Sequence, residues 1–266
     1  MGKILLTGAA GGLGKVLRET LVGWQDTLRL SDINPIDDVR DGEESIQCDL
    51  GDANAVMDLV DGCDGIIHLG GQSLENTFEN ILNANIRGTY NVYEAARQKG
   101  VKRIIFASSN HVIGFHESGK KLDATCQMRP DSLYGVSKAY GEMLASYYYD
   151  MFGIETAAVR IGSCFPKPVN RRMLSTWMSY RDFTDLIKKV FEVDELGFSI
   201  VYGVSDNPES WWDNHLTAHI GWQPQDSSQP YANEKHIVEQ VDDPEDPAVK
   251  FQGGAFAAAG HFEDSL

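Results

Sequence analysis

Cationic residues are scarce in this 266-residue chain. It carries 23 Lys and Arg against 39 Asp and Glu, a formal net charge of −16. That deficit speaks against nucleic acid, which selects basic surfaces, and against an anionic membrane face. It reads as a solvated acidic surface, or as adaptation to a salty cytoplasm where counterions screen the repulsion. Cysteine is sparse too. Cys48, Cys63, Cys126 and Cys164 form no CxxC pair, so neither a zinc site nor a disulfide framework is suggested. Free thiols in a reducing compartment are the expectation. No apolar run reaches the roughly 18 residues of a membrane span. Met1-Gly2-Lys3 runs straight into an apolar stretch and a glycine motif, which leaves no room for a leader, so the chain is expected in the cytoplasm. Internal repeats and low-complexity linkers are also lacking.

A hydrophobic content of 42% with 10% aromatics allows a sizeable core. Short apolar runs alternate with amphipathic stretches as far as about residue 160. Strands are predicted at Lys3–Thr7, Thr27–Ile33, up to Cys48, at Gly65–Leu69, Arg103–Ala107 and Glu155–Ile161. Helices are predicted at Leu13–Gly23, Ala53–Asp61, within Phe78–Gly100 and over Ser132–Phe152. This βαβ rhythm predicts an α/β fold, a Rossmann-type doubly wound parallel sheet with helices on both faces. After Gly162 the rhythm breaks. Asp182–Val193 looks helical, Phe198–Tyr202 strand-like, Trp211–His219 a short helix, and Phe251–Ala259 an apolar patch in an acidic tail. We therefore read 1–162 as a nucleotide-binding, catalytic part and 163–266 as a small substrate-covering region of the same domain.

Thr7-Gly8-Ala9-Ala10-Gly11-Gly12-Leu13-Gly14 follows the first strand and opens a helix. Such a loop needs positive φ, lets the backbone approach a pyrophosphate with no Cβ in the way, and offers it a helix N-terminus. A ligand-free glycine turn is the bland alternative. Asp32 closes the second strand, ahead of Ile33 and Asn34. A carboxylate there accepts both ribose hydroxyls and repels a 2′-phosphate, which favours NAD over NADP; it would also serve as a plain turn aspartate. Asp49-Leu50 would hold the adenine, and Leu69-Gly70-Gly71 would let the cofactor lie close, although both also suit ordinary β–α turns.

Tyr134 and Lys138 form Y-x-x-x-K at the start of a predicted helix, four residues apart and so on one face. A nearby ammonium favours the phenolate, which can take a hydroxyl proton while hydride leaves the same carbon. Alone, the pair is common by chance. Here it follows Phe106-Ala107-Ser108-Ser109-Asn110-His111-Val112-Ile113-Gly114, a strand that ends in serine.

Glycine loop, Asp32, strand-end serine and Y-x-x-x-K in this order resemble the extended short-chain dehydrogenase/reductase family over about residues 1–163. The resemblance implies Ser109 as the catalytic serine and Asn85 as a structural asparagine in the central helix. Further segments resemble bacterial uronate dehydrogenases: Arg160-Ile161-Gly162-Ser163-Cys164, Arg172-Met173-Leu174-Ser175-Thr176-Trp177, Trp211-Trp212-Asp213-Asn214 and Phe251-Gln252-Gly253-Gly254. That family oxidises C1 of D-glucuronate or D-galacturonate with NAD to an aldarolactone. By this resemblance Tyr134 takes the C1 hydroxyl proton and Ser109 orients that oxygen. Lys138 lowers the tyrosine pKa and holds the nicotinamide ribose, Ser163 lies by nicotinamide and substrate, and Phe256 walls the pocket. Arg172 suits a two-pronged clamp on the uronate carboxylate, with Arg171 beside it as a rival. Ser73, Asn110 and His111 are placed to bind sugar hydroxyls.

His215 and His219 stand four apart without a third ligand, so no metal is expected. Two other readings compete: a sugar-nucleotide epimerase or dehydratase on the same scaffold, and a non-catalytic NAD sensor. The two long helices would form a homo-oligomer interface by analogy with relatives.

Overall fold

Runs of Ile, Leu and Val too short for a buried helix, each closed by a glycine or acidic turn, become strands here. The computed structural model describes residues 2–265. The elements in order are β1 (Lys3–Thr7), α1 (Gly12–Thr20), β2 (Thr27–Ser31), β3 (Glu43–Ser45), α2 (Ala53–Val60), β4 (Gly65–His68), α3 (Phe78–Ile81), α4 (Gly88–Lys99), β5 (Arg103–Ser109), α5 (Leu133–Phe152), β6 (Glu155–Ile161), β7 (Ser163–Cys164), α6 (Met173–Thr176), β8 (Trp177–Met178), α7 (Tyr180–Glu192) and β9 (Phe198–Gly203). Seven strands form one sheet in the order β3-β2-β1-β4-β5-β6-β9. The pairs β1–β2, β1–β4, β2–β3 and β4–β5 are parallel, with Thr7 opposite both Ser31 and His68. Strand order reverses between β1 and β4, the switch point where doubly wound sheets bind ligands.

By its contacts the chain divides into two compact units. The first comprises Met1–Ala107, Tyr140–Ala158 and Glu195–Ser199. Its core gathers Leu5, Ile66 and Ile104 from strands with Val56, Leu59, Val92 and Tyr148 from helices. Buried Tyr93 reaches the Thr156 hydroxyl at 3.2 Å, so its phenol does not go unpaired. Buried Arg29 donates to the carbonyls of Leu59 and Asp61, both at 2.7 Å, closing the C-terminus of α2.

The second unit comprises Ser108–Ala139, Val159–Asp194 and Ile200–Leu266. Val112, Ile113, Leu122, Tyr202 and Trp212 form its core, with Tyr202 and Trp212 stacked at 5.4 Å. Trp212 is thus packing, as is the apolar stripe Phe183, Leu186, Ile187 and Val190 of α7.

Three local outcomes differ from the sequence reading. β3 ends at Ser45, yet its hydrogen bonds run on, from Ile46 N to Leu30 O and Cys48 N to Asp32 O. The helix expected within Phe78–Gly100 is broken by a π-turn at Leu82–Arg87 and stops at Gly100, whose φ is 78°. Trp211 and Trp212 are extended rather than helical, and a 3-10 turn begins only at His215. The Asn214 amide explains this: it bonds both the N–H and the carbonyl of Tyr202 at 2.8 Å and holds the chain alongside β9. Among the described residues no helix is long and apolar enough to cross a membrane.

Candidate active site

The glycine loop of the first unit is built for close approach. Gly8 has φ 72°, and a Cβ there would stand 2.8 Å from the Leu69 carbonyl carbon. A Cβ on Gly14 would stand 2.3 Å from the Gly8 oxygen, whereas one on Gly12 would meet nothing within 4 Å. Gly8 and Gly14 therefore pack backbone on backbone, while Gly11 and Gly12 face outward, with Leu13 half-buried behind them. Gly11 caps α1 with no side-chain bond, and the first turn holds no acidic residue. A helix start of this kind presents N–H groups and a positive dipole end to an anion.

Asp32 ties the end of β2 to this loop, its Oδ2 accepting from Ala10 N at 3.1 Å and its Oδ1 from Asn34 N at 3.0 Å. Ile33 beside it is exposed. Leu50 lies against Gly70, where a Cβ would fall 2.6 Å from Leu50 Cδ1. Asp49 accepts from Gly51 N at 2.8 Å and keeps lone pairs to spare. A buried chain of Thr7, His68 and Thr89 backs this floor, the Thr7 hydroxyl also accepting from Gly70 N at 3.0 Å. Asn85 sits in the π-turn and clasps Gln72 at both its N–H (2.7 Å) and its carbonyl (3.1 Å). A Cβ on Gly71 would meet that amide at 2.7 Å. Ser73 lies exposed in the same loop. Open glycines, an uncapped helix start and a ribose-type carboxylate are the features a dinucleotide requires, so these residues fit NAD.

The acid–base candidates belong to the second unit. β5 ends at buried Ser109, whose hydroxyl accepts from His111 N at 3.2 Å and also bonds Tyr134. Ser132 starts α5, its hydroxyl accepting from Gly135 N at 2.9 Å. Tyr134 and Lys138 follow one turn apart, both buried, with the ammonium 5.5 Å from the phenol ring centroid. Burial pushes the Tyr134 phenol up to about 12, against the pull of its bond to Ser109 and helped by Asp131. Burial likewise brings Lys138 down to about 8. The sequence leads one to expect the ammonium to dominate and lower the phenol. Desolvation of both groups outweighs it.

Arg172 settles among polar groups of the same unit. Its Nε donates to the Gln252 carbonyl at 3.0 Å and its Nη1 to Ser163 Oγ at 3.3 Å. In the amide orientation that satisfies both ends, Asn110 donates to the Ile161 carbonyl at 3.1 Å and accepts from Arg172 Nη2 at 3.0 Å. Burial lowers the guanidinium to about 10, partly offset by Asp131, so it is fully charged at neutral pH. Arg171 points to other work: it pairs with Asp242 at 2.6 Å and donates to the Gln240 carbonyl at 2.7 Å. His111 stacks on Phe256 at 3.8 Å between ring centroids and meets Tyr134 edge-on at 5.7 Å.

Two residues of this cluster escape sequence reasoning. Asp131 is buried and bonds His111 Nδ1 at 2.8 Å. Gln252 is fully buried; its side chain accepts from Trp212 Nε1 and donates to two carbonyls, so its own carbonyl is fixed toward Arg172. The advance signal for Gln252 is its place in Phe251-Gln252-Gly253-Gly254, a segment that resembles uronate dehydrogenases but says nothing of its contacts. Among the described residues no three His, Cys, Asp or Glu gather as a metal site, and all four cysteines are free.

The model of the NAD dependent epimerase/dehydratase family matches residues 4–179. Uronate dehydrogenase of Pseudomonas putida is 55% identical over 263 residues, 98% of this chain and 97% of that protein. The crystal structure of glucuronic acid dehydrogenase from Chromohalobacter salexigens superposes with a TM-score of 0.96 at 53% identity, covering 99% of both chains. That of Agrobacterium tumefaciens uronate dehydrogenase, a tyrosine-to-alanine mutant complexed with NAD, gives 0.93 at 52% identity over 97% of each chain. On these likenesses, which run nearly end to end, the chain belongs to the NAD-dependent epimerase/dehydratase family and, within it, to the uronate dehydrogenases.

Proposed function

We propose that the protein oxidises C1 of a free hexuronic acid, D-glucuronate or D-galacturonate, with NAD to give the aldarolactone and NADH. The observation that carries this reading is a buried guanidinium, Arg172, held by Ser163, Asn110 and Gln252 in the same unit as the Ser109–Tyr134 hydrogen bond. A carboxylate clamp beside an acid–base tyrosine suits an acidic sugar.

Bound NAD supplies the hydride acceptor. Tyr134, once deprotonated to the phenolate, takes the proton of the C1 hydroxyl, and Ser109 holds that oxygen. Below about pH 8 Lys138 carries its proton, and its positive charge works against the burial that raises the phenol; it also holds the nicotinamide ribose. Loss of the hydride from C1 and of the proton from its hydroxyl oxygen leaves the lactone carbonyl, a two-electron oxidation. Arg172 takes the carboxylate, and Ser73, Asn110, His111 and Ser163 take hydroxyls, with Phe256 as a wall in a substrate-covering 163–266. N–H groups of Gly11–Gly14 receive the pyrophosphate. Asp32, with Ile33 and Asn34, receives the adenosine ribose. Asp49 and Leu50 hold adenine, Gly8 and Leu69–Gly71 give close approach, and Ser163 adjoins the nicotinamide.

The protein works in the cytoplasm as a homo-oligomer. Tyr90 on α4 and Met143, Tyr147 and Met151 on α5 are all exposed and supply the apolar surface; light scattering tests this. NADH absorbance with a panel of free uronates, aldoses and nucleotide sugars tests the function. Free uronates react. Aldoses lacking the carboxylate fail, and reaction of nucleotide sugars without net NADH would point instead to an epimerase.

A further inference from the structure

We propose that Asp131 is a positioning residue. It locks His111 as the Nδ1–H tautomer, so that Nε2 becomes an acceptor for one hydroxyl of the sugar. The proposal rests on the uronate reading above and deepens it. Asp131 is fully buried at its side chain, and its Oδ2 lies 2.8 Å from His111 Nδ1. Its Oδ1 accepts from Ser132 Oγ at 2.9 Å. An ionised carboxylate only accepts, so the shared proton sits on Nδ1 and the lone pair of the neutral ring is left on Nε2, across the ring from Asp131.

Space for this carboxylate is reserved by glycines of two separate segments. A Cβ on Gly114 or Gly253 would fall 1.9 or 1.8 Å from Oδ2. Nor is the imidazole free to swing, for Phe256 stacks on it and Tyr134 meets it edge-on. Asp131 also acts electrostatically on Tyr134 and on Arg172. The two ends of a hexuronate are thereby read with opposite polarity. Arg172 presents only donors and takes the carboxylate, while His111 presents a lone pair that repels an anion and accepts from an O–H.

Imidazole 15N–1H correlation spectra test the tautomer directly, His111 being identified by the signal lost in His111→Gln. Above neutral pH the wild-type ring shows its proton on Nδ1. In Asp131→Asn the amide donates to Nδ1, and the proton moves to Nε2. KM for hexuronate then rises on the order of tenfold, the loss of one hydrogen bond, while KM for NAD is unchanged and kcat falls by less than KM rises. A wild-type ring protonated on Nε2, or on both nitrogens as expected for a carboxylate-binding imidazolium, overturns the proposal, as does a switched tautomer with unchanged KM. If Asp131→Asn fails to fold, the wild-type spectrum decides. Wild-type protein that reduces no NAD with any hexuronate sinks the functional reading instead, which separates the two failures.

Discussion

Replacing Gly14 by alanine separates what the glycine loop does for the fold from what it does for the cofactor. The added methyl would lie 2.3 Å from the Gly8 oxygen and 2.6 Å from Ala9 Cα, both main-chain atoms that no rotamer change moves aside. Ordinary contact would require α1 to withdraw from the loop by about 1 Å, and close-packed interiors resist such shifts. Overpacking of this kind costs about 1–3 kcal/mol. For a chain of this size that lowers the melting temperature by roughly 2–12 °C. Gly12→Ala is the control. Its methyl meets nothing within 4 Å, so the melting temperature holds, while NAD affinity falls because the methyl stands where the backbone approaches the pyrophosphate. Thermal unfolding without nucleotide and calorimetric NAD titration read the two effects. Gly14→Ala melting at the wild-type temperature, or Gly12→Ala binding NAD as tightly as wild type, would refute the reasoning.

Arg172→Ala raises KM for hexuronate on the order of a hundredfold. Arg171→Ala, which loses only its links to Asp242 and nearby carbonyls, leaves that KM within about threefold; steady-state kinetics of both variants check this. Lys138→Met is inactive yet melts higher than wild type at pH 7. Folding lowers the Lys138 pKa from 10.5 to about 8, so its charged form is the disfavoured one in the folded state. Between those values the unfolded chain binds more protons, and wild-type stability rises with pH. The advantage of Lys138→Met therefore shrinks from pH 8 to pH 10, which melting curves across that range would show. Asp32→Ala relaxes the preference for NAD over NADP, read as the ratio of the two kcat/KM values.

How far the sequence carried the fold depended on how local each signal is. β1, β4 and β5 are continuous Ile/Leu runs, as strands buried on both faces must be, and the Gly8–Gly14 loop combines turn chemistry with a helix start. The π-turn at Leu82–Arg87 has no such signature. It follows from Asn85 turning to clasp Gln72, and that loop must already be folded for the bond to exist. Asp131 in Arg129-Pro130-Asp131-Ser132 reads as an ordinary turn residue. Its role appears only when Gly114 and Gly253, more than a hundred residues apart, close around it. Gln252 lies in a segment that resembles uronate dehydrogenases, yet its role appears only when Trp212 and Arg172 are seen to meet on it. The order Arg171-Arg172 says nothing of which guanidinium turns inward; Asp242, 71 residues beyond Arg171, decides it by engaging the other.

The most direct measurement follows the hydrogen on C1. With glucuronate or galacturonate deuterated at C1, mass spectrometry of the nucleotide should find one deuterium in the reduced NAD for each lactone formed, and Tyr134→Phe should bind NAD but form neither product. Reduced NAD without the label, or unchanged turnover in Tyr134→Phe, would contradict the account.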